Sequence, residues 1–307
     1  MKKSSKNPVI INSITEWHRI FCIPNPMHPL ISLVHHKDVK NIAGEYSKSL
    51  TVNFYIISIK KSFKGKMRYG KNYYDFDEGT MGFLSPGQVI AIDDDENRDC
   101  LGWSLIIHPN FLRGYPLGKT IRNYGFFDYS VNEALHLSDK EDATIAALIS
   151  NIEQEYHSSI DNYSQDLMVA HLEVLLNYSN RFYNRQFITR KAITNDMLVQ
   201  LERLLEEYLN EGKVQQSGLP TVQHLADKLF VSPNYLGDML RSLTGMNTQQ
   251  HIHNKLIEKA KETLTNTNLT VAEIAYQLGF EHPQSFNKLF KSKTNISPLA
   301  FRNSYLS

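Results

Sequence analysis

A chain of 307 residues is too long for one ordinary compact core and suits two domains of roughly 100–200 residues each. Hydrophobic residues at 41% and charged residues at 21% lie near globular averages, which excludes a disordered or low-complexity scaffold. A formal charge of +1 does not exclude nucleic acid, because a DNA reader needs its basic residues on one surface rather than an excess over the whole chain.

The first residues, MKKSSKNPVI, are basic, but Asn12, Ser13, Thr15, Glu16 and His18 interrupt any apolar run that would follow in an export signal. No apolar run approaches the roughly 18 residues needed to cross a membrane. From about residue 9 to 108 the sequence is rich in aromatic and β-branched residues. Runs such as Leu50–Ile59 and Leu101–Ile107 read as strands. Turn clusters at Lys64-Gly65, Asp77–Gly79, Ser85–Gly87 and Asp93–Glu96 separate them, so an antiparallel β domain is expected. Cys22 and Cys100 show no CxxC or Cys/His metal spacing, which disfavours a disulfide framework and a structural zinc and fits a reducing cytosol. His35 and His36 would point to opposite sides of a strand and are expected at the surface. Tyr55, Phe83 and Trp103 are candidates for an effector pocket, with core packing the stronger expectation.

Past Asp139 the periodicity becomes helical. Ile145, Leu148, Ile149 and Ile152 share a face behind an N-cap at Ser138 or Asp139. A second helix is predicted from Ser164 to about Tyr183. Its apolar residues lie on more than one side, which suits a partner subunit and predicts a homodimer. A third spans Asn195–Asn210. The polar stretch 212–220, Gly-containing and closed by Pro220, is the expected linker.

The last domain contains a repeat. Residues 221–248 align with 270–298 at an offset of 49 and then 50. Thr221, Leu225, Ala226 and Leu229 match Thr270, Ile274, Ala275 and Leu278; Leu236, Leu240 and Arg241 match Phe286, Phe290 and Lys291. Each copy starts at a Thr N-cap, runs two turns, breaks, and restarts at a cap-like residue before Pro233 or Pro283, which is the grammar of a helix-turn-helix. Between the copies, Gln249–Leu264 lacks Pro and Gly and reads as one helix, roughly 25 Å long at 1.5 Å per residue. Such a spacer suits two recognition helices entering successive major-groove segments.

The segment IAYQLGFEHPQSFNKLFKSKTNISPLAFR resembles the C-terminal signature of the AraC/XylS family of transcription regulators, and the likeness extends over residues 210–307. The resemblance implies an α+β protein of two domains: a cupin-like antiparallel β domain with dimerisation helices (residues 1–211), a linker (212–220) and a double helix-turn-helix domain (221–307). Tyr74–Gln88 looks like a cupin hairpin, without the HxH and following Glu of a metal cupin. Asn295 stands where the family usually has Gly, Leu256 where Arg is frequent, and Thr248 where Pro is frequent.

The family pattern points to Asn234, Gly237, Asp238 and Arg241 on the first recognition helix and to His282, Gln284, Ser285, Asn287, Lys288 and Lys291 on the second. Amide side chains suit adenine edges and lysines suit phosphates, so the second helix is expected to read sequence. Lys255, Lys259 and Lys293 are further candidates for phosphate. Residues 221–307 hold nine Lys and Arg against six Asp and Glu.

The expected function is sequence-specific DNA binding in a cytoplasmic transcription regulator, an activator by the resemblance. Its expected partners are promoter DNA, RNA polymerase, a second copy of the chain and a small-molecule effector, with no metal or cofactor and no membrane. A cupin-type small-molecule enzyme with an accessory helical domain is the alternative, and a helical protein-binding adaptor a further rival. No Ser/His/Asp order, phosphate loop or dinucleotide fingerprint supports an enzyme.

Overall fold

In the computed structural model, described residues are 9–39, 50–61, 66–69, 72–75, 79–90, 101–158, 161, 163–210, 214 and 217–306. The turn clusters expected at 64–65 and 93–96, the acidic pair of the cluster at 77–79, residues 76–78 of the hairpin, Cys100, and linker positions 212, 213, 215 and 216 lie outside them. Two compact units form, Met1–Gln186 and Phe187–Ser307.

In the first unit, β2 (Ile31–His35), β4 (Tyr55–Lys61), β7 (Thr80–Leu84), β9 (Leu101–Ile107) and β10 (Leu135–His136) make an antiparallel sheet in the order β10-β7-β4-β9-β2. A second sheet has the order β1-β3-β8, from Val9–Ile11, Leu50–Val52 and Val89–Ile90. β1 runs parallel to β3, so the domain is not purely antiparallel as expected. β5 (Lys66–Tyr69) and β6 (Asn72–Asp75) form a separate two-stranded pair.

The run 50–59, expected as one strand, breaks at Asn53-Phe54. The Asn53 N–H donates to the Ile11 carbonyl at 3.0 Å, and its side-chain amide reaches Asn12 Oδ1 at 2.6 Å. These bonds hold a corner that passes the chain from one sheet to the other. Phe54, fully buried there, joins a core in which Ile11, Leu50 and Val52 of the smaller sheet meet Val34, Ile56 and Ile106 of the larger. Ile57, Ile59 and Leu105, on the opposite face, are buried as well.

α1 (Ile14–Ile20) and α2 (Pro116–Thr120) are short; α3 (Asp139–His157) and α4 (Ser164–Thr189) are long. α3 starts where Ser138 and Glu141 form a capping box, the Glu141 carboxylate accepting the Ser138 N–H at 2.9 Å. The histidine expectation needs correction. His35 and His36 do point apart, but His35 meets Glu153 of α3 at 2.8 Å and half-buried His36 meets Ser104 Oγ at 2.8 Å. Among the expected pocket aromatics, Tyr55 packs on Phe127 and Phe83 on Phe126, and Trp103 is buried.

In the second unit, α5 (Lys191–Asn210) precedes α6 (Val222–Lys228), α7 (Pro233–Thr244), α8 (Thr248–Asn266), α9 (Val271–Gln277), α10 (Pro283–Thr294) and α11 (Pro298–Leu306). α8 is the hub, packing against α5, α7, α9, α10 and α11. Its buried stripe Ile252, Leu256, Ala260 and Leu264 recurs at spacings of four, one side of a helix. The unit therefore starts upstream of the boundary expected at 211, because α5 packs on α8. Val214 is 2% exposed, and Tyr208 Oη donates to the Gly218 carbonyl at 3.1 Å, so these two positions of the expected linker are packed.

Candidate nucleic-acid interface

Both repeats are helix pairs capped as their sequences dictate. The Thr221 hydroxyl accepts the His224 N–H at 3.1 Å, and the Thr270 hydroxyl accepts that of Glu273 at 3.2 Å. Glu273 returns the bond to the Thr270 N–H at 2.7 Å, and these Thr270 hydrogen bonds hold its carboxyl below its usual range. Ala226 and Ala275 are fully buried where each first helix meets its second. Ser232 caps α7 by accepting from Tyr235 N at 3.2 Å. At the matching place His282 makes no side-chain cap, which corrects the cap-like role expected there.

Each second helix is pinned by one face and open on the other. In α7, Leu236, Met239 and Leu240 are buried; in α10, Phe286 and Phe290 are. The offset of 50 superposes Asn234, Asp238 and Arg241 on Gln284, Lys288 and Lys291. Each trio runs i, i+4, i+7, a single stripe on a helix. Asn234 and Arg241 are exposed and Asp238 is half-buried; His282, Gln284, Ser285, Asn287, Lys288 and Lys291 are all exposed. Gly237 lies inward, where a Cβ would stand 3.8 Å from Thr248 Oγ1. The Thr248 hydroxyl is buried without a hydrogen-bond partner among the described residues.

The charges of the two stripes differ. On α7, Arg241 Nη1 donates to Asp238 Oδ1 at 2.7 Å. On α10 the same positions carry two lysines. Lys255 and Lys259 pair with Glu258 and Glu262 at 3.6 and 3.4 Å and line a groove with Glu206 of α5. That placement argues against their reaching a phosphate. Lys293 is exposed on α10, and its charge, after burial, helps to lower the pKa of His253.

The family departures have local explanations. Asn295 takes φ 65° at the end of α10, and its N–H reaches the Lys291 carbonyl at 2.8 Å, which is the work expected of a Gly. Leu256 is 1% exposed in the core, so apolar packing stands where Arg is frequent in the family. One feature escaped sequence reasoning: the turn of the first repeat puts Phe230 at φ 59° and 84% exposed, where the second repeat has Gly279 at φ 80°. Aligning the two turns residue by residue exposes the mismatch.

Two helix pairs of this grammar on one shared helix define a double helix-turn-helix domain. A family profile described as a helix-turn-helix domain matches residues 225–304. The chain is 35% identical over 78 residues to YesN, an uncharacterized transcriptional regulatory protein of Bacillus subtilis, with 25% of this chain and 21% of that one covered. It is 29% identical over 135 residues to RhaS, an HTH-type transcriptional activator of Salmonella schwarzengrund, with 44% and 46% covered. The solved C-terminal domain of the two-component response regulator yesN from Fusobacterium nucleatum is 33% identical; 33% of this chain and 96% of that one are covered, with a TM-score of 0.29. The chain thus spans less than half the length of the curated relatives named. Its C-terminal region is thus similar to the helix-turn-helix domains of AraC-type transcriptional regulators.

Proposed function

We propose that the chain is a sequence-specific DNA-binding transcription regulator whose α7 and α10 enter successive major-groove segments. The observation that carries this is the repeated outward stripe, Asn234/Asp238/Arg241 and Gln284/Lys288/Lys291, fixed on two helices that both pack on α8. A helix of 19 residues is about 28 Å long at 1.5 Å per residue, which suits a groove repeat of about 34 Å. Gln284, Ser285, Asn287 and His282 read base edges, while Lys288, Lys291 and Arg241 meet phosphates. Asn234 and Asp238 complete the first contact surface.

The first unit, residues 1–186, acts in this reading as a cupin-like regulatory and dimerisation domain, and α5, Val214 and Gly218 belong with the reader. Exposed Leu167 and Val174 on α4 support a homodimer, the β domain senses a small molecule, and transcription activation through RNA polymerase in the cytoplasm follows the family resemblance. No helix among the described residues is long and apolar enough to cross a membrane.

The test is selection of the full chain on a genomic DNA library across a salt series. An enriched site with two submotifs about one helical turn apart, bound more weakly as salt rises, is expected. A folded chain that enriches no motif and shows no salt-sensitive binding overturns the reading in favour of a protein-binding adaptor.

A further inference from the structure

One buried group of the second unit is not accounted for by the packing around it. Thr248, the first residue of α8, is 2% exposed, yet its Oγ1 has no hydrogen-bond partner among the described residues. A buried hydroxyl left unpaired is costly, so a bound state that pairs it gains by doing so. The hydroxyl faces half-buried Gly237 of α7, where a Cβ would stand 3.8 Å from it, an ordinary contact distance. Alanine therefore fits at that position, and glycine inside a helix is the less stable choice. What the glycine keeps open is a notch over Thr248.

The notch borders the outward stripe of α7 and the start of α8. Asn234, Gly237 and Arg241 stand at i, i+3 and i+7, one row along α7, with Asn234 and Arg241 exposed. Asn247 and Gln250 form the capping box of α8: the Gln250 N–H donates to Asn247 Oδ1 at 2.9 Å, and the Asn247 N–H to Gln250 Oε1 at 2.8 Å. Helix geometry leaves the N–H groups of Thr248 and Gln249 without an acceptor inside the helix, at the positive end of its dipole. The second repeat lacks this arrangement. At the offset of 50, Asn287 stands for Gly237 and Pro298 for Thr248, so neither a hydroxyl nor an N–H is offered there.

We propose that the first turn of α8 is a phosphate clamp belonging to the first repeat. An oxygen of the DNA backbone seats over Gly237 and accepts hydrogen bonds from Thr248 Oγ1 and from the N–H groups of Thr248 and Gln249. Neutral donors at a helix N-terminus hold a phosphate without a cation. The first repeat has use for them, because its Arg241 is tied to Asp238 at 2.7 Å where the second has Lys288 and Lys291. The inference rests on the DNA-binding reading and names a contact outside the two recognition helices.

Anisotropy titration of the full chain tests it, on a site selected from genomic DNA and on duplexes with one neutral methylphosphonate at each phosphate of that site in turn. Thr248→Val deletes the hydroxyl at nearly constant shape. It is expected to weaken binding to every sequence roughly tenfold, with base preference and salt slope unchanged because no charge is removed. Urea unfolding is expected to find the free variant at least as stable as wild type. Thr248→Ser keeps the affinity, and Gly237→Ala, which covers the notch, loses it. One methylphosphonate is expected to weaken wild type and to cost Thr248→Val nothing further. Wild-type affinity in folded Thr248→Val or Gly237→Ala overturns the proposal, as does a Thr248→Val loss that adds in full to that of every methylphosphonate. A less stable Thr248→Val overturns it too, since the hydroxyl would then be paired in the free chain. A chain that selects a motif with salt-sensitive binding but ignores Thr248→Val overturns the clamp alone, whereas a folded chain that binds no DNA overturns the regulator reading and the clamp with it.

Discussion

Asp238 Oδ1 lies 2.7 Å from Arg241 Nη1, so the acidic and basic residues of the outward stripe of α7 are joined to each other across one turn. The second helix has lysines at both equivalent places, Lys288 and Lys291, and carries an undivided positive charge on that face. The repeat thus preserves a scaffold and changes its charge.

Substituting Asp238→Asn removes both the clamp on Arg241 and a negative charge from the proposed DNA-facing stripe. An exposed pair of this kind is worth about 0.2–1 kcal/mol. Affinity is expected to rise about 1.4- to fivefold at low salt on that scale, with the log K against log salt slope steeper by about one. Fluorescence anisotropy on a selected site checks it. Unchanged affinity and slope would show that Arg241 does not reach the backbone.

Gln284→Ala and Lys288→Ala separate reading from holding. Loss of Gln284 is expected to relax preference at one base pair by about 1–3 kcal/mol, while loss of Lys288 weakens all sequences alike and lowers the salt slope by about one. Binding to a single-substitution operator series reports both. If neither variant departs from wild type, α10 does not lie in the groove.

Much of this was legible in the chain because helix-turn-helix units are local. Thr221, Pro233, Thr270 and Pro283 mark their own helix starts, and the buried Leu, Ile and Phe repeat at helical spacing. Sheet partners and tertiary contacts are not local. Nothing in the run Leu50–Ile59 announces that Asn53 binds Ile11, some forty residues earlier, and turns the strand into another sheet. The upstream start of the second unit was hidden for the same reason, since α5 reads as one more amphipathic helix until α8 is seen beneath it. Asp238 was visible as an acidic residue on a reading face, but its bond to Arg241 required side-chain geometry.

Gly279 tests whether the segment before α6 is part of the fold. Its φ of 80° disfavours any side chain, and a Cβ there would stand 2.3 Å from Val214 Cγ1. Gly279→Ala is expected to destabilise the second unit by about 2–4 kcal/mol, from left-handed strain plus overpacking. Adding Val214→Ala relieves the clash and leaves the strain. Hydrogen exchange of the α9 and α10 amides measures both variants, and an absence of rescue would mean that Val214 is not seated on the turn.

Leu167 and Val174 of α4 are 45% and 41% exposed, and half-buried His171 and Tyr178 extend the same stripe at spacings of four and three. A sustained stripe of this period is a seam for a second helix. Sedimentation is expected to show a dimer for the wild-type chain and a folded monomer for Leu167→Lys with Val174→Lys. A double variant that remains dimeric places the subunit contact elsewhere.

His36 gives the first unit a defined acid sensitivity. Burial, then the charges of Lys60 and His35, push its pKa down to about 3, against 6.5 for an ordinary histidine, while the Leu101 backbone opposes the shift. Between these values the unfolded chain binds a proton that the folded chain refuses. The stabilisation is therefore complete above about 6.5 and is lost as the pH falls toward 3, at up to about 1.4 kcal/mol per pH unit. His18, its pKa also lowered by burial and only partly restored by the Pro24 carbonyl, acts in the same direction. Both tryptophans, Trp17 and Trp103, lie in this unit, so their fluorescence during urea unfolding reports on it. Wild type is expected to lose stability steadily from pH 6.5 to 4.5, and His36→Asn to lose less over the same interval. Equal slopes in the two proteins would show that His36 takes up its proton in the folded state as readily as in the unfolded one.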